Sequence, residues 1–176
     1  MEQTKKNTKR IAIIGPESSG KSTLASTLAE QYNTLWVPEF AREYLMQIKR
    51  DYTFDDLEII AKKQMTLENE LFATANNFLF CDSTLLTIKI WSEYKYNKTS
   101  QWVLDNLKEH QYHLHMLCKP DIDWEDDPLR ENPHDRDELF VLYQTELKKL
   151  KIPYEIVNGR NEFRFDTAVN ALKKYF

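Results

Sequence analysis

Glycine and cysteine are scarce in this 176-residue sequence, with three of the first and two of the second. Nowhere does an apolar run approach the roughly 18 to 20 residues that a bilayer-spanning helix needs. Cys81 and Cys118 lie in separate apolar segments without a CxxC pair or a neighbouring histidine ligand, which disfavours a disulfide or zinc framework and favours reduced core thiols. The opening stretch, Met1 to Arg10, is polar and lysine-rich and lacks a signal-peptide core, so a cytoplasmic, membrane-free protein is expected. Basic residues number 24 against 28 acidic ones, a net charge of -4, which argues against sequence-independent attachment to nucleic acid. A local basic pocket stays open. What is present is 41% hydrophobic and 12% aromatic residues, enough for one domain with its own core, without internal repeats or low-complexity tracts.

Residues 1–9 read as a flexible tail and 10–176 as a single domain. Ile11-Ala12-Ile13-Ile14 has the continuous apolar character of a strand buried on both faces of a parallel sheet. From Lys21 to about Tyr32, Leu24, Ala25, Leu28 and Ala29 recur at helical spacing. Further strands are expected at 35–37, 78–81, 112–118 and 154–157. Helices are expected at 39–49, from the Thr53/Asp56 capping box towards Asn76, at 85–96 and 100–111, at 139–151, and around Phe165 to Leu172. Ile88 and Ile90 leave a strand open for 85–96. Residues 120–137, rich in acid and proline, break every periodicity and read as a mobile lid. Strands separated by helices imply an α/β domain with about five mainly parallel strands flanked by helices.

The strongest chemical signal is Gly15-Pro16-Glu17-Ser18-Ser19-Gly20-Lys21-Ser22, a full GxxxxGK[ST] match between a strand and a helix. Glycines allow the tight backbone that points successive N–H groups at phosphate oxygens, where the helix dipole also favours negative charge. Lys21 suits the β- and γ-phosphates, and Ser22 offers a hydroxyl to Mg²⁺. Gly15, Glu17, Ser18, Ser19, Gly20, Lys21, Ser22 and Thr23 are therefore the candidate ATP-binding residues of a P-loop NTPase fold.

Asp82, directly after an apolar strand, has the place of a magnesium-holding carboxylate, with a plain helix cap as the alternative for Asp82 or Ser83. Glu39, at another strand end, is a candidate base for an acceptor hydroxyl, against a local salt bridge to Arg42. In the lid, Arg130 and Arg136 are candidates for stabilising transferring phosphoryl charge, against solvated pairing with nearby aspartates. Trp124 offers a face to a planar cationic ring or anchors the lid by burying itself. Trp91, Tyr94 and Tyr96 line an acceptor pocket or belong to the core. The acidic run Asp121 to Asp127 lacks calcium-loop spacing, and His110, His113, His115 and His134 lack matching metal-ligand partners.

The phosphate loop, Glu39-Phe40-Ala41-Arg42-Glu43-Tyr44, Asp82 with Leu85 to Tyr94, and Asp123-Trp124 with Asp127 and Arg130 together resemble the ribosylnicotinamide kinase domain of the NadR-like NAD-biosynthesis proteins. That family is a P-loop kinase branch within an AAA-type ATPase-like sequence group. The resemblance covers nearly the whole chain from about Arg10. It implies a nucleoside/nucleotide-kinase type of fold and transfer of the ATP γ-phosphate to the 5′-hydroxyl of nicotinamide riboside. It also implies a polar, acidic acceptor end with Glu39, Arg42, Asp82 and Trp124 near the substrate, Ser22 and Asp82 near Mg²⁺, and Gly159 and Arg160 bordering the adenine. The adenylyltransferase and DNA-binding segments of longer members have no counterpart in these residues. Other nucleoside or nucleotide kinases, and a P-loop regulatory ATPase acting on a protein partner, stay open, as does self-association.

Overall fold

Four residues in succession, Ile11 to Ile14, are completely buried, which requires a strand covered on both faces. They belong to β1 (Lys9–Ile14), the central strand of a five-stranded parallel sheet in the computed structural model, which describes residues 7–176. β1 leads into α1 (Lys21–Gln31), β2 (Leu35–Val37), α2 (Phe40–Ile48), α3 (Phe54–Phe72) and β3 (Phe78–Asp82). Then follow α4 (Leu85–Tyr96), α5 (Gln101–Glu109), β4 (Leu114–Cys118), α6 (Arg136–Lys149), β5 (Tyr154–Val157) and α7 (Asn161–Tyr175). The strand order is β2-β3-β1-β4-β5, so the chain builds one side of β1 and then the other. Such an arrangement opens a ligand crevice at the carboxyl ends of the central strands.

Ile11, Ile13, Phe80 and Met116 project to one face, where α1 and α7 supply Leu24, Leu28, Ala168 and Leu172. Ala12, Ile14 and Leu117 meet Leu86 and Ile90 of α4 and Leu139, Tyr143 and Leu147 of α6 on the other. The Asp56 carboxylate accepts the Thr53 N–H at 2.7 Å, the reciprocal half of the capping box expected at the start of α3. Both cysteines are buried and unpaired, and burial raises the Cys118 thiol to about 11.

Several boundaries differ from expectation. β1 begins at Lys9 and Thr8 is buried, with its hydroxyl donating to the Ala75 carbonyl, so the expected tail is corrected at residues 8 and 9. Residues 1–6 of that tail lie outside the described residues. α6 starts at Arg136, shortening the irregular segment to 119–135: Asp137 and Glu138 in its first turn complement the helix dipole. α3 stops at Phe72, short of Asn76. β4 is buried along its whole length and begins at Leu114, leaving His113 outside it. Residues 85–96 are helical throughout.

Candidate active site

Gly15 ends β1 with φ at 144°, and a Cβ there would lie 2.6 Å from the Cys118 carbonyl oxygen, so any side chain would collide with the neighbouring strand's backbone. Gly20, at φ 78°, occupies the N-cap position of α1. Between them Ser18 also takes a left-handed conformation, at φ 51°, and the Ser19 hydroxyl donates to the Pro16 carbonyl at 2.7 Å. The loop therefore wraps the start of α1, whose first turn carries Lys21 and no acidic residue. Unpaired N–H groups and the helix dipole create an anion-attracting mouth there. The Lys21 ammonium donates to the Pro16 carbonyl at 2.7 Å.

At the end of β3, Asp82 pairs in register with Ile13 and is 1% exposed. Its Oδ2 accepts a hydrogen bond from the Ser22 hydroxyl at 2.5 Å, whereas Oδ1 is buried without a hydrogen-bond partner. Burial, followed by the negative charge of Glu39, raises its pKa to about 6, against the opposing pull of Lys21 and Ser22. A hydroxyl beside a carboxylate with a spare buried oxygen suits a hard cation such as Mg²⁺. Among the described residues no group of three His, Cys, Asp or Glu side chains forms a metal cage. The N-cap position of α4 falls to Thr84, whose N–H donates to the Thr87 hydroxyl at 3.3 Å.

Glu39 is the N-cap residue of α2, and its Oε1 accepts from the Ser83 hydroxyl at 3.1 Å. Ser83 itself is left-handed, at φ 65°, which turns the chain at the end of β3 towards Glu39. Arg42, the alternative partner of Glu39, instead pairs with Asp127 at 2.5 Å, joining α2 to segment 119–135.

That segment lies across the phosphate loop. The Glu17 carboxylate accepts the backbone N–H groups of Glu131, at 3.1 Å, and Asn132, at 2.8 Å. The Arg130 guanidinium donates to the Glu125 carbonyl and, at 3.4 Å, to the Ser18 hydroxyl. Arg136 donates to the Ser18 and Ile122 carbonyls, each at 3.0 Å. Both are thus held chiefly by main-chain oxygens, and their guanidinium carbons lie 5.8 and 5.7 Å from the Trp124 ring centroid. Such distances suit cation–π attraction, which anchors the indole between them.

Part of this arrangement encloses a cleft of about 250 Å³. Gly15 and Glu17 to Thr23 form its phosphate end, and Glu39, Arg42 and Arg130 also line it. Its walls also include Ala41, Leu45, Ile90, Trp91, Tyr94 and Tyr143. Asp82, Trp124, Arg136 and Arg160 do not line the cleft: Asp82 lies behind Ser22, and Arg160 pairs with Asp123 at 2.9 Å between two exposed side chains. Tyr96 meets Tyr52 and Phe54 edge-on instead of facing the cleft.

Sequence reasoning missed Arg164. Buried at 6% exposure on α7, it donates to the Ser19 carbonyl at 3.0 Å, the Lys119 carbonyl at 2.9 Å and the Gly159 carbonyl at 2.9 Å, and pairs with Asp121 at 2.5 Å. One guanidinium therefore fastens the phosphate loop to the ends of β4 and β5. Because C=O and N–H are antiparallel across a trans peptide, fixing Ser19 O on one side turns the Gly20 N–H to the other. Nothing local to the sequence marks this role, since the contact spans 145 positions.

A glycine-flanked loop that opens a helix at the carboxyl edge of a parallel sheet defines a P-loop nucleotide-binding domain, here of the nucleoside/nucleotide-kinase type. Residues 10–164 match a family model described as AAA domain, and the chain belongs to that family. It is 29% identical over 126 residues to the trifunctional NAD biosynthesis/regulator protein NadR of Escherichia coli (strain K12), and 27% identical over 124 residues to its Salmonella typhimurium counterpart. Each alignment takes in 68% of this chain but 30% of the relative. The fold matches a NadR protein crystallised in complex with NR, with a TM-score of 0.78 and 21% identity over 96% of this chain and 51% of that one. Thymidylate kinase from Ehrlichia chaffeensis matches at a TM-score of 0.64 and 14% identity, over 94% of this chain and 98% of that enzyme. The resemblance is thus to part of the length of NadR, within a fold shared with a nucleotide kinase. Among the described residues no helix is long and apolar enough to cross a membrane.

Proposed function

We propose that the protein transfers the γ-phosphoryl group of ATP to the 5′-hydroxyl of nicotinamide riboside, giving nicotinamide mononucleotide and ADP. The observation that carries this reading is one cleft lined by the phosphate loop, by the Glu39 carboxylate and by the aromatic rings of Trp91, Tyr94 and Tyr143. Such a lining accepts a planar ring, and a cationic ring gains further attraction from aromatic faces. The similarity to NadR proteins, one of them crystallised with NR, points to the same acceptor.

In this reading the backbone N–H groups of residues 17–23 and the Lys21 ammonium hold the triphosphate. Ser22 and Asp82 would hold Mg²⁺, which when bound neutralises charge on the phosphate oxygens. Glu39 faces the cleft, so it orients the acceptor hydroxyl and receives its proton as the hydroxyl oxygen bonds to the γ-phosphorus and the bond to ADP breaks. Asp82, behind Ser22 and bonded to it, is left the metal role. Arg130 is the lid arginine on the cleft and stabilises charge on the transferring group, while Arg136 braces the loop through Ser18 O. Arg42 holds the acceptor side to segment 119–135 through Asp127.

The experiment is an acceptor panel with ATP and Mg²⁺ containing nicotinamide riboside, thymidine, deoxyadenosine and thymidylate, read as phosphorylated product. Phosphorylation of nicotinamide riboside ahead of the others is expected. Preference for another nucleoside or nucleotide would retain the kinase and reject this acceptor. ATP hydrolysis unaffected by the whole panel but stimulated by a protein partner would reject the kinase.

A further inference from the structure

We propose that Tyr52 is a positioning residue that couples occupancy of the phosphate loop to the aromatic wall of the acceptor end. The name given to that end rests on the proposed function; the coupling rests on two sets of hydrogen bonds joined through Glu131, one at its backbone N–H and one at its carboxylate. Tyr52 lies between α2 and α3, outside the cleft lining. Its hydroxyl accepts from the Trp91 indole N–H at 2.9 Å and the Lys95 ammonium at 2.6 Å, and donates to the Glu131 carboxylate at 2.5 Å. Lys95 also pairs with Glu131 at 2.8 Å. The Tyr52 and Trp91 rings meet edge-on with centroids 5.0 Å apart. One hydroxyl therefore fixes the orientation of an indole that lines the cleft.

Glu131 connects this node to the other substrate. Its backbone N–H is held by the carboxylate of Glu17, which itself belongs to the phosphate loop and lines the cleft. An arriving triphosphate brings several negative charges beside that carboxylate, and like charges in a partly enclosed site repel strongly. Glu17 must readjust, and the N–H groups of Glu131 and Asn132 that it holds must follow. The Glu131 side chain, with the Tyr52 hydroxyl and Trp91 beyond it, then changes its constraints. Burial and the bond to Glu131 raise the Tyr52 pKa, so the hydroxyl keeps the proton it donates.

The test uses the full chain labelled with 5-fluorotryptophan, the Trp91 fluorine resonance being assigned through Trp91→Phe. Magnesium-bound AMP-PNP is titrated into wild type, Tyr52→Phe and Glu131→Ala, with binding followed in parallel by calorimetry. Phe retains the ring packing and removes only the hydroxyl. The Trp91 resonance should move in wild type, and each variant should lose at least half of that shift while still binding nucleotide. An undiminished shift in Tyr52→Phe, or a silent Trp91 in nucleotide-bound wild type, would overturn the proposal. With an accepted nucleoside, Tyr52→Phe should raise the acceptor KM roughly 3- to 10-fold, the effect of losing one positioning hydrogen bond, with kcat little changed. A purely structural defect would lower the active fraction, and so kcat, instead. Failure to phosphorylate nicotinamide riboside alongside an intact, Tyr52-dependent Trp91 response would reject the acceptor and support the coupling.

Discussion

Replacing Asp82 by Asn should stabilise the protein at neutral pH while disabling it. Burial, with the charge of Glu39 second, raises the Asp82 pKa from 3.8 to about 6. Between those values the folded state binds more protons than the unfolded state, so this group makes stability fall as pH rises. Below the unfolded value both states are protonated and the penalty vanishes. Above about pH 7 it is fully present and amounts to roughly 3 kcal/mol, since each tenfold change in a proton-binding constant is worth about 1.4 kcal/mol. Asn keeps an oxygen for the Ser22 hydroxyl and places an N–H donor where Oδ1 has no partner. Weakening the charge-assisted Ser22 bond and burying an amide N–H without an acceptor together cost about 2 kcal/mol. The variant should therefore be more stable than wild type by roughly 1 kcal/mol in magnesium-free buffer near pH 8. Urea unfolding followed by circular dichroism measures this, and the variant's advantage should grow by about 1 kcal/mol from pH 5 to pH 8. An advantage that stays constant or shrinks over that range would refute the electrostatic reasoning.

Lys21→Ala should leave the fold intact, because the ammonium rests on the Pro16 carbonyl and not in the core, yet reduce turnover by about 10²- to 10³-fold; coupled ADP-release kinetics with circular dichroism check both halves. Glu39→Gln should lower kcat by at least ~10²-fold while leaving magnesium dependence unchanged, as a magnesium titration of the initial rate will show. Arg130→Met should reduce kcat more than it raises the ATP KM, whereas Arg136→Met, which removes donors to Ser18 and Ile122, should act mainly through ATP affinity; steady-state kinetics for the pair separates these.

The centre of the sheet was legible because buried parallel strands are local apolar runs: 11–14 and 78–81 stand out between polar segments. The start of α6 was hidden, since Asp135 to Glu138 look like a continuation of the acidic segment, and only the helix dipole makes such residues suitable for a first turn. At the site, the phosphate loop was readable because its chemistry is contiguous. Arg164, the Arg42–Asp127 pair and the Tyr52–Glu131 bond were not, because each joins residues distant in sequence and side chains of ordinary surface type. Trp91 and Tyr94 fell between core and pocket because α4 is apolar on more than one face, and only its placement against α6 and the phosphate loop decides which rings meet the cleft.

Nucleotide binding and acceptor binding in one cleft are best tested together, by following ADP and phosphorylated nucleoside simultaneously with ATP, Mg²⁺ and nicotinamide riboside. Equal amounts of ADP and nicotinamide mononucleotide, formed only when all three are present and lost in Lys21→Ala, are the expected result. ADP formed at the same rate without the riboside, or no turnover despite saturating ATP and riboside, would contradict the account.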